Sequence, residues 1–315
     1  MQRILIGLGG LAAIGLIGWF GAAAIGHEVW QAAWVVPLAI GLHAVQLLLS
    51  ASAWRGIAGG GPGLLAWWRI RWVREAVNSL LPVAQLGGNV VAIRLLARDG
   101  VTVAQGSAAT TLDIAVEAVS QAAFTLAGIG VLAAVSPDRH WLPWFAGGTV
   151  ALLAGLAGFA VALRAGLLRL VERIPGLSRL LGGMDAELRR LAARRAALLR
   201  GGSLHLLAWL LGTGETWLAL AAMGLPPSLP AAFVIESLAM AARSAAFAVP
   251  GALGVQEAGF ILVAGLFGIP PETAVALSMV KRARELLVGI GGLLAWNRCE
   301  LANRRDRRRS GATAG

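Results

Sequence analysis

The sequence predicts an all-α, polytopic membrane helix bundle: six spanning helices plus two re-entrant helical hairpins in two inverted repeats, with eight spanning helices as the alternative. Three observations predict it. The chain is 57% hydrophobic with a mean hydropathy of +0.73, and only 14% of its residues are charged, where a soluble domain carries about a quarter. Several apolar runs reach the ~20 residues that cross ~30 Å of hydrocarbon. Two short apolar segments broken by Pro and Gly recur in the two halves of the chain.

The elements follow in order. Residues 4–25 read as a first helix. The run is too long for a signal-peptide core and lacks a small-residue cleavage site before His27, Glu28, Val29 and Trp30. A second helix covers 34–54, with Trp30 and Trp34 at the interface that indole rings prefer. After the glycine-rich break at 59–63, residues 67–81 and 86–97 are each too short to span. They flank Pro82 and open the second piece with Gly87, Gly88 and Asn89. Such a broken pair reads as a re-entrant hairpin, tolerated at membrane depth where protein or a wet cavity covers it. Helix three covers 103–135 and helix four ends near 163. A basic stretch, 164–200, follows. Its second half, 184–200, carries Leu188, Leu191, Leu198 and Leu199 on one side and reads as an amphipathic helix on the membrane surface. Helix five covers 204–223. A second broken pair, 231–249 and 254–267, surrounds Pro250 and Gly251. The last helix runs from 271 to about 296.

The two broken pairs resemble each other. Pro82 and Pro250 stand 168 residues apart, as do Gly100 and Gly268. The same offset sets Asp113 against Lys281 and Glu117 against Glu285. If each unit has three crossings, the second is upside down. The Arg-rich segments 55–74, 94–98, 164–200 and 298–309 then share the cytoplasmic side, and the charge-poor segments 26–33, 136–141, 224–230 and 268–272 share the other. The chain is thus read as one membrane domain, 1–300, with repeats at about 1–135 and 141–298, and a basic, disordered cytoplasmic tail at 301–315. Paired discontinuous helices in inverted repeats are a transporter architecture.

The net charge is +11, and the basic residues include a single lysine, Lys281. Their position beside apolar runs assigns them to topology and anionic headgroups rather than to nucleic acid. One cysteine, Cys299, excludes an intrachain disulfide. The four histidines are scattered, with no metal-ligand spacing, so neither metal nor cofactor is expected. An ionised side chain at the bilayer centre costs about 3 kcal/mol. Candidate sites for a lipid headgroup or proton are therefore the intramembrane polar residues: Arg74, Asn78, Asn89, Asp113, Glu117, Glu215, Arg243, Gln256, Glu257, Lys281, Arg282 and Glu285. Asp113 and Glu117 lie one turn apart on one face. The backbone breaks at Pro82, Gly87, Gly88, Pro250, Gly251 and Gly254 would expose helix N-termini to a phosphate or hydroxyl group. Structural ion pairs and simple glycine packing are the competing explanations.

The runs at 74–88 and 242–257 resemble the flippase-like membrane domain of lysylphosphatidylglycerol synthases. With the stretch 276–287, they look closer to the hopanoid-biosynthesis-associated membrane proteins of that superfamily. The resemblance implies a multi-pass protein of the bacterial inner membrane, with both termini cytoplasmic, that handles lipid. Its implied partners are hopanoid or anionic phospholipid, with hopanoid-biosynthesis enzymes or a lipid exporter as further candidates. The synthases carry a separate soluble aminoacyl-transferase domain. The chain runs into a basic tail instead, so synthase activity is not expected. The leading functional expectation is a lipid translocase or translocation accessory for hopanoid or a hopanoid-linked lipid. The alternatives are an intramembrane enzyme or subunit modifying a hopanoid headgroup, and a scaffold of the lipid-biosynthesis complex.

Overall fold

The computed structural model describes residues 22–81, 86–136, 140, 142–164, 183–245, 252 and 254–312. Among these every regular element is helical: α1 Ala22–Gln31, α2 Val35–Ala58, α3 Leu64–Leu80, α4 Gly87–Arg98, α5 Val103–Val135, α6 Leu142–Arg164, α7 Met184–Ala192, α8 Arg195–Ala222, α9 Leu229–Ala245, α10 Val255–Gly265 and α11 Pro271–Ala312. Most of the predicted first helix, and Pro82, Pro250 and Gly251, lie outside the described residues.

Local chemistry sets the boundaries. α2 ends where Gly59 takes a left-handed φ of 88° and its N–H closes back on the Arg55 and Gly56 carbonyls, a C-cap that glycine adopts without a Cβ penalty. α5 starts at Thr102, whose hydroxyl accepts from the Gln105 N–H. It ends at Val135 as predicted, before Ser136.

Four expectations need correction. α1 continues beyond 25 to Gln31. The amphipathic stretch 184–200 is two pieces, because the chain turns at Ala193 and Arg194. Arg194 Nη1 donates to the carbonyls of Gly56 and Ile57 at 3.2 and 3.3 Å, which draws the backbone out of helix. The apolar side chains of α7 (Met184, Leu188 and Leu191) are buried in a protein core rather than laid on lipid, and helix five begins nine residues early, at Arg195. The tail predicted to be disordered continues α11 helically to Ala312, consistent with its Arg, Leu and Ala content, all good helix formers.

Two apolar cores lie at opposite ends of the bundle. One gathers Ile25, Ala32 and Val35 with Leu132, Leu220, Met223, Val234, Val263, Ile269 and Val275. The other gathers Ala51, Trp54, Ile57, Trp67, Ile70, Leu95, Val101, Ala108 and the apolar face of α7. α3 and α4 contribute to the second core and α9 and α10 to the first, and the two helices of each pair pack on one another. α3 has 17 residues, about 26 Å of helix, and α4 has 12, too few to span.

The packing pairs exchange between the halves. α3 packs on α4 as α9 on α10, α2 on α3 as α8 on α9, and α4 on α5 as α10 on α11. Across the halves α3 packs on α11 and α9 on α5, while α2 packs on α8. Close approach at the two cross-half contacts requires glycine. A Cβ on Gly292 would fall 2.6 Å from Ala76 Cβ and 3.0 Å from the Trp72 carbonyl. A Cβ on Gly128 would fall 1.9 Å from Ser237 Oγ.

An ionic hollow between the two halves

Between the two cores the sequence places its intramembrane charges, and the helices gather them. On α3, Arg71 and Arg74 are three residues apart and share a face. On α5, Asp113 and Glu117 share another. Asp113 is fully buried. Its Oδ2 accepts from Arg71 Nη1 at 3.0 Å and Arg74 Nη1 at 2.7 Å, and its Oδ1 lies 3.0 Å from His205 Nε2 of α8. Arg71 reaches on to Glu117 at 2.6 Å. The Arg74 guanidinium also lies 5.1 Å over the Trp54 ring, a cation–π contact that strengthens away from water.

The second half answers with opposite signs. Lys281, the counterpart of Asp113 at the 168-residue offset, is buried against Glu236 Oε2 at 2.9 Å and Glu215 Oε2 at 3.8 Å. Thr216 donates to the same Glu236 oxygen. Arg243 pairs with Glu285 and donates to Gln256 Oε1 at 2.8 Å. Arg284 lies 3.3 Å from Glu215 and 3.5 Å from Glu285.

Besides His205 to Asp113, a second chain of contacts joins the halves. Arg284 Nη1 of α11 lies 2.6 Å from His43 Nδ1 of α2, and His43 Nε2 lies 2.6 Å from Glu75 Oε1 of α3. These groups surround a cavity of about 530 Å³, the size of a small-molecule site. Of the predicted site residues, Arg74, Asn78, Asn89, Glu117, Glu215, Arg243 and Glu285 line it. Asp113 and Lys281 stand behind the wall, holding the arginines and glutamates that do.

Gln256, Glu257 and Arg282 are brought together elsewhere. Glu257 accepts from Arg282 at 2.6 Å, from Ser278 at 3.2 Å and from the Gly254 N–H at 2.8 Å, pinning the start of α10 to α11. The predicted anion approach at the glycines is taken up internally. Gly88 N–H donates to Asn78 Oδ1 at 2.8 Å, and a Cβ at Gly88 would fall 2.2 Å from the Arg74 carbonyl. Gly88 is therefore a close-packing position, and Gly254 is capped by its own helix.

The site also uses residues outside the predicted set: His43, Arg71, Glu75, His205, Glu236 and Arg284. Four of these stood out as charges inside apolar runs. The two histidines carried no local signal, because their partners lie 32 and 92 residues away. Ligand atoms of Asp113, Glu117 and His205 come within 4.8 Å of one another, a spacing that suits a metal ion. The guanidinium groups of Arg71 and Arg74 already occupy Asp113 Oδ2 and, for Arg71, Glu117. They supply the positive charge a metal would bring, so the cluster is an ion-pair network.

The fold and this hollow define an all-helical membrane protein, with α2 and α5 each long and apolar enough to cross a bilayer. The chain belongs to the family described as the lysylphosphatidylglycerol synthase TM region, whose model matches residues 4–292. It is thereby a membrane protein of a lipid-related family. No curated protein and no solved structure matches it.

Proposed function

We propose that the protein carries a lipid headgroup across the bacterial inner membrane through the hollow between two inverted halves. The observation that carries this reading is the 530 Å³ cavity, lined from both halves by paired ionic groups and held between two apolar cores. A headgroup entering it exchanges water for hydrogen bonds while its tail stays in hydrocarbon. Alternating exposure comes from rocking one half against the other, as in other inverted-repeat carriers. The exchange of packing pairs between the halves supports the two-half reading.

Orientation follows from charge. Arg194 touches the end of α2 beside Arg55, Gln105 donates to the Ala58 carbonyl, and Glu300 pairs with Arg98 at 3.0 Å. The Arg-rich segments thus meet at one end, which we assign to the cytoplasm together with both termini. The cargo we propose is hopanoid or a hopanoid-linked lipid, on the strength of the sequence resemblance. The test is leaflet-resolved lipid analysis of a deletion strain. The expected result is an intact lipid retained in the inner leaflet. A missing modified lipid would instead identify a headgroup-modifying enzyme.

A further inference from the structure

His43 stands on the wall of the hollow with 12% of its side chain exposed, so water and protons reach it. Its Nδ1 faces two partners of opposite character. Arg284 Nη1, from the other half, is 2.6 Å away, and Gln46 Oε1, one turn along the same helix, is 2.8 Å away. A guanidinium only donates and an amide oxygen only accepts. The Gln46 amide is oriented by its nitrogen, which donates to the Ala208 carbonyl at 3.1 Å, so its oxygen is the atom left to face the ring. Nδ1 can satisfy only one of the two partners. Bare, it accepts from Arg284; protonated, it donates to Gln46. The Nε2–H to Glu75 bond serves both states.

From this geometry we propose that His43 is a proton-binding site: neutral, it latches α2 to α11 across the halves, and protonated, it releases that contact. The proposal rests on the translocase reading and names its driving ion. Proton uptake exchanges a bond between halves for a bond within α2 and sets imidazolium against guanidinium. Arg284, once released, keeps Glu215 of α8 and Glu285 of α11 as partners. The charged groups facing His43 are therefore Glu75 from α3 and Arg284 from α11, with Glu215 of α8 behind Arg284. Arg71 of α3 also acts electrostatically on Glu75. Histidine is the side chain whose charge changes between about pH 5 and 8.

The test reads the distance between the halves directly. Leu48 of α2 and Ile290 of α11 are exposed. Leu48→Cys and Ile290→Cys, in a Cys299→Ser background, place spin labels on the full chain in lipid nanodiscs. Electron–electron resonance then gives the α2–α11 distance across that pH range. The wild type is expected to gain a longer distance on acidification, and His43→Gln to show no pH response. Gln46→Leu removes the partner of the protonated state, so its transition requires about tenfold more protons or beyond. An acid response retained in His43→Gln, or a transition unshifted in Gln46→Leu, overturns the proposal. Should His43→Gln not fold, Gln46→Leu decides alone. A latch that responds while no lipid moves sinks the translocase reading and leaves the proton site standing. Lipid movement with no pH response in the distance does the reverse.

Discussion

At the scale of the residue, cost and pairing govern the hollow. Asp113 is enclosed completely and serves three cationic or hydrogen-bonding partners at once. Removing its charge takes away the carboxylate that holds Arg74 and leaves Arg71 with Glu117. Breaking a buried pair on one side costs about 3–5 kcal/mol. Asp113→Asn is therefore expected to lower the unfolding midpoint sharply in a detergent melt, by more than Glu117→Gln, whose side chain is 27% exposed. Equal melting of the two variants would show that Asp113 does not anchor the network. Asp113, Glu117, Lys281 and Glu285 were legible in the sequence because an ionisable residue inside an apolar run announces itself. His43 and His205 were not, since a lone histidine gains meaning only from partners that folding brings near.

At the scale of the element, α5 and α11 organise the molecule. α5 carries Asp113 and Glu117, α11 carries Lys281, Arg284 and Glu285, and each presents a glycine to a short helix of the other half: Gly128 to α9 and Gly292 to α3. Gly128→Ala drives a methyl into Ser237 and is expected to cost about 1–3 kcal/mol of stability. Pairing it with Ser237→Gly removes the obstructing atoms and is expected to restore most of that loss, as a thermal melt of both variants would reveal. No rescue would mean that the contact is not close-packed in the membrane. The limits of α5 were readable from the length of its apolar run, while its Thr102 cap was not. The early start of α8 was not, because it depends on Arg194 reaching the end of α2. The helicity of the basic tail was not legible either, because its run of arginines also suits a solvated, unstructured end.

At the scale of the whole molecule, symmetry carries the account. Asn78 near the end of α3, Asn89 of α4 and Arg243 near the end of α9 all line one cavity. The matched spacing of Pro82 with Pro250 and of Gly100 with Gly268 was visible in the sequence. The ring of charge joining Glu75, His43, Arg284 and Glu285 was not, because it belongs to neither half alone. Labelling of single cysteines in cells tests the arrangement. Leu225→Cys is expected to react with an impermeant reagent from outside, and Arg195→Cys only after the membrane is opened. Reaction of both from one side would dismantle the inverted-repeat reading.

The most direct measurement is lipid movement itself. The purified chain is reconstituted into vesicles with a headgroup-labelled lipid, and the label reaching the outer leaflet is followed by chemical quenching, with and without an imposed pH gradient. Wild-type protein is expected to move label faster than protein-free vesicles. Arg284→Ala, which removes the Arg284–His43 contact between the halves while leaving Lys281 beside Glu215 and Glu236, is expected to change that rate. Wild-type vesicles that move label no faster than empty ones under every gradient would contradict the account.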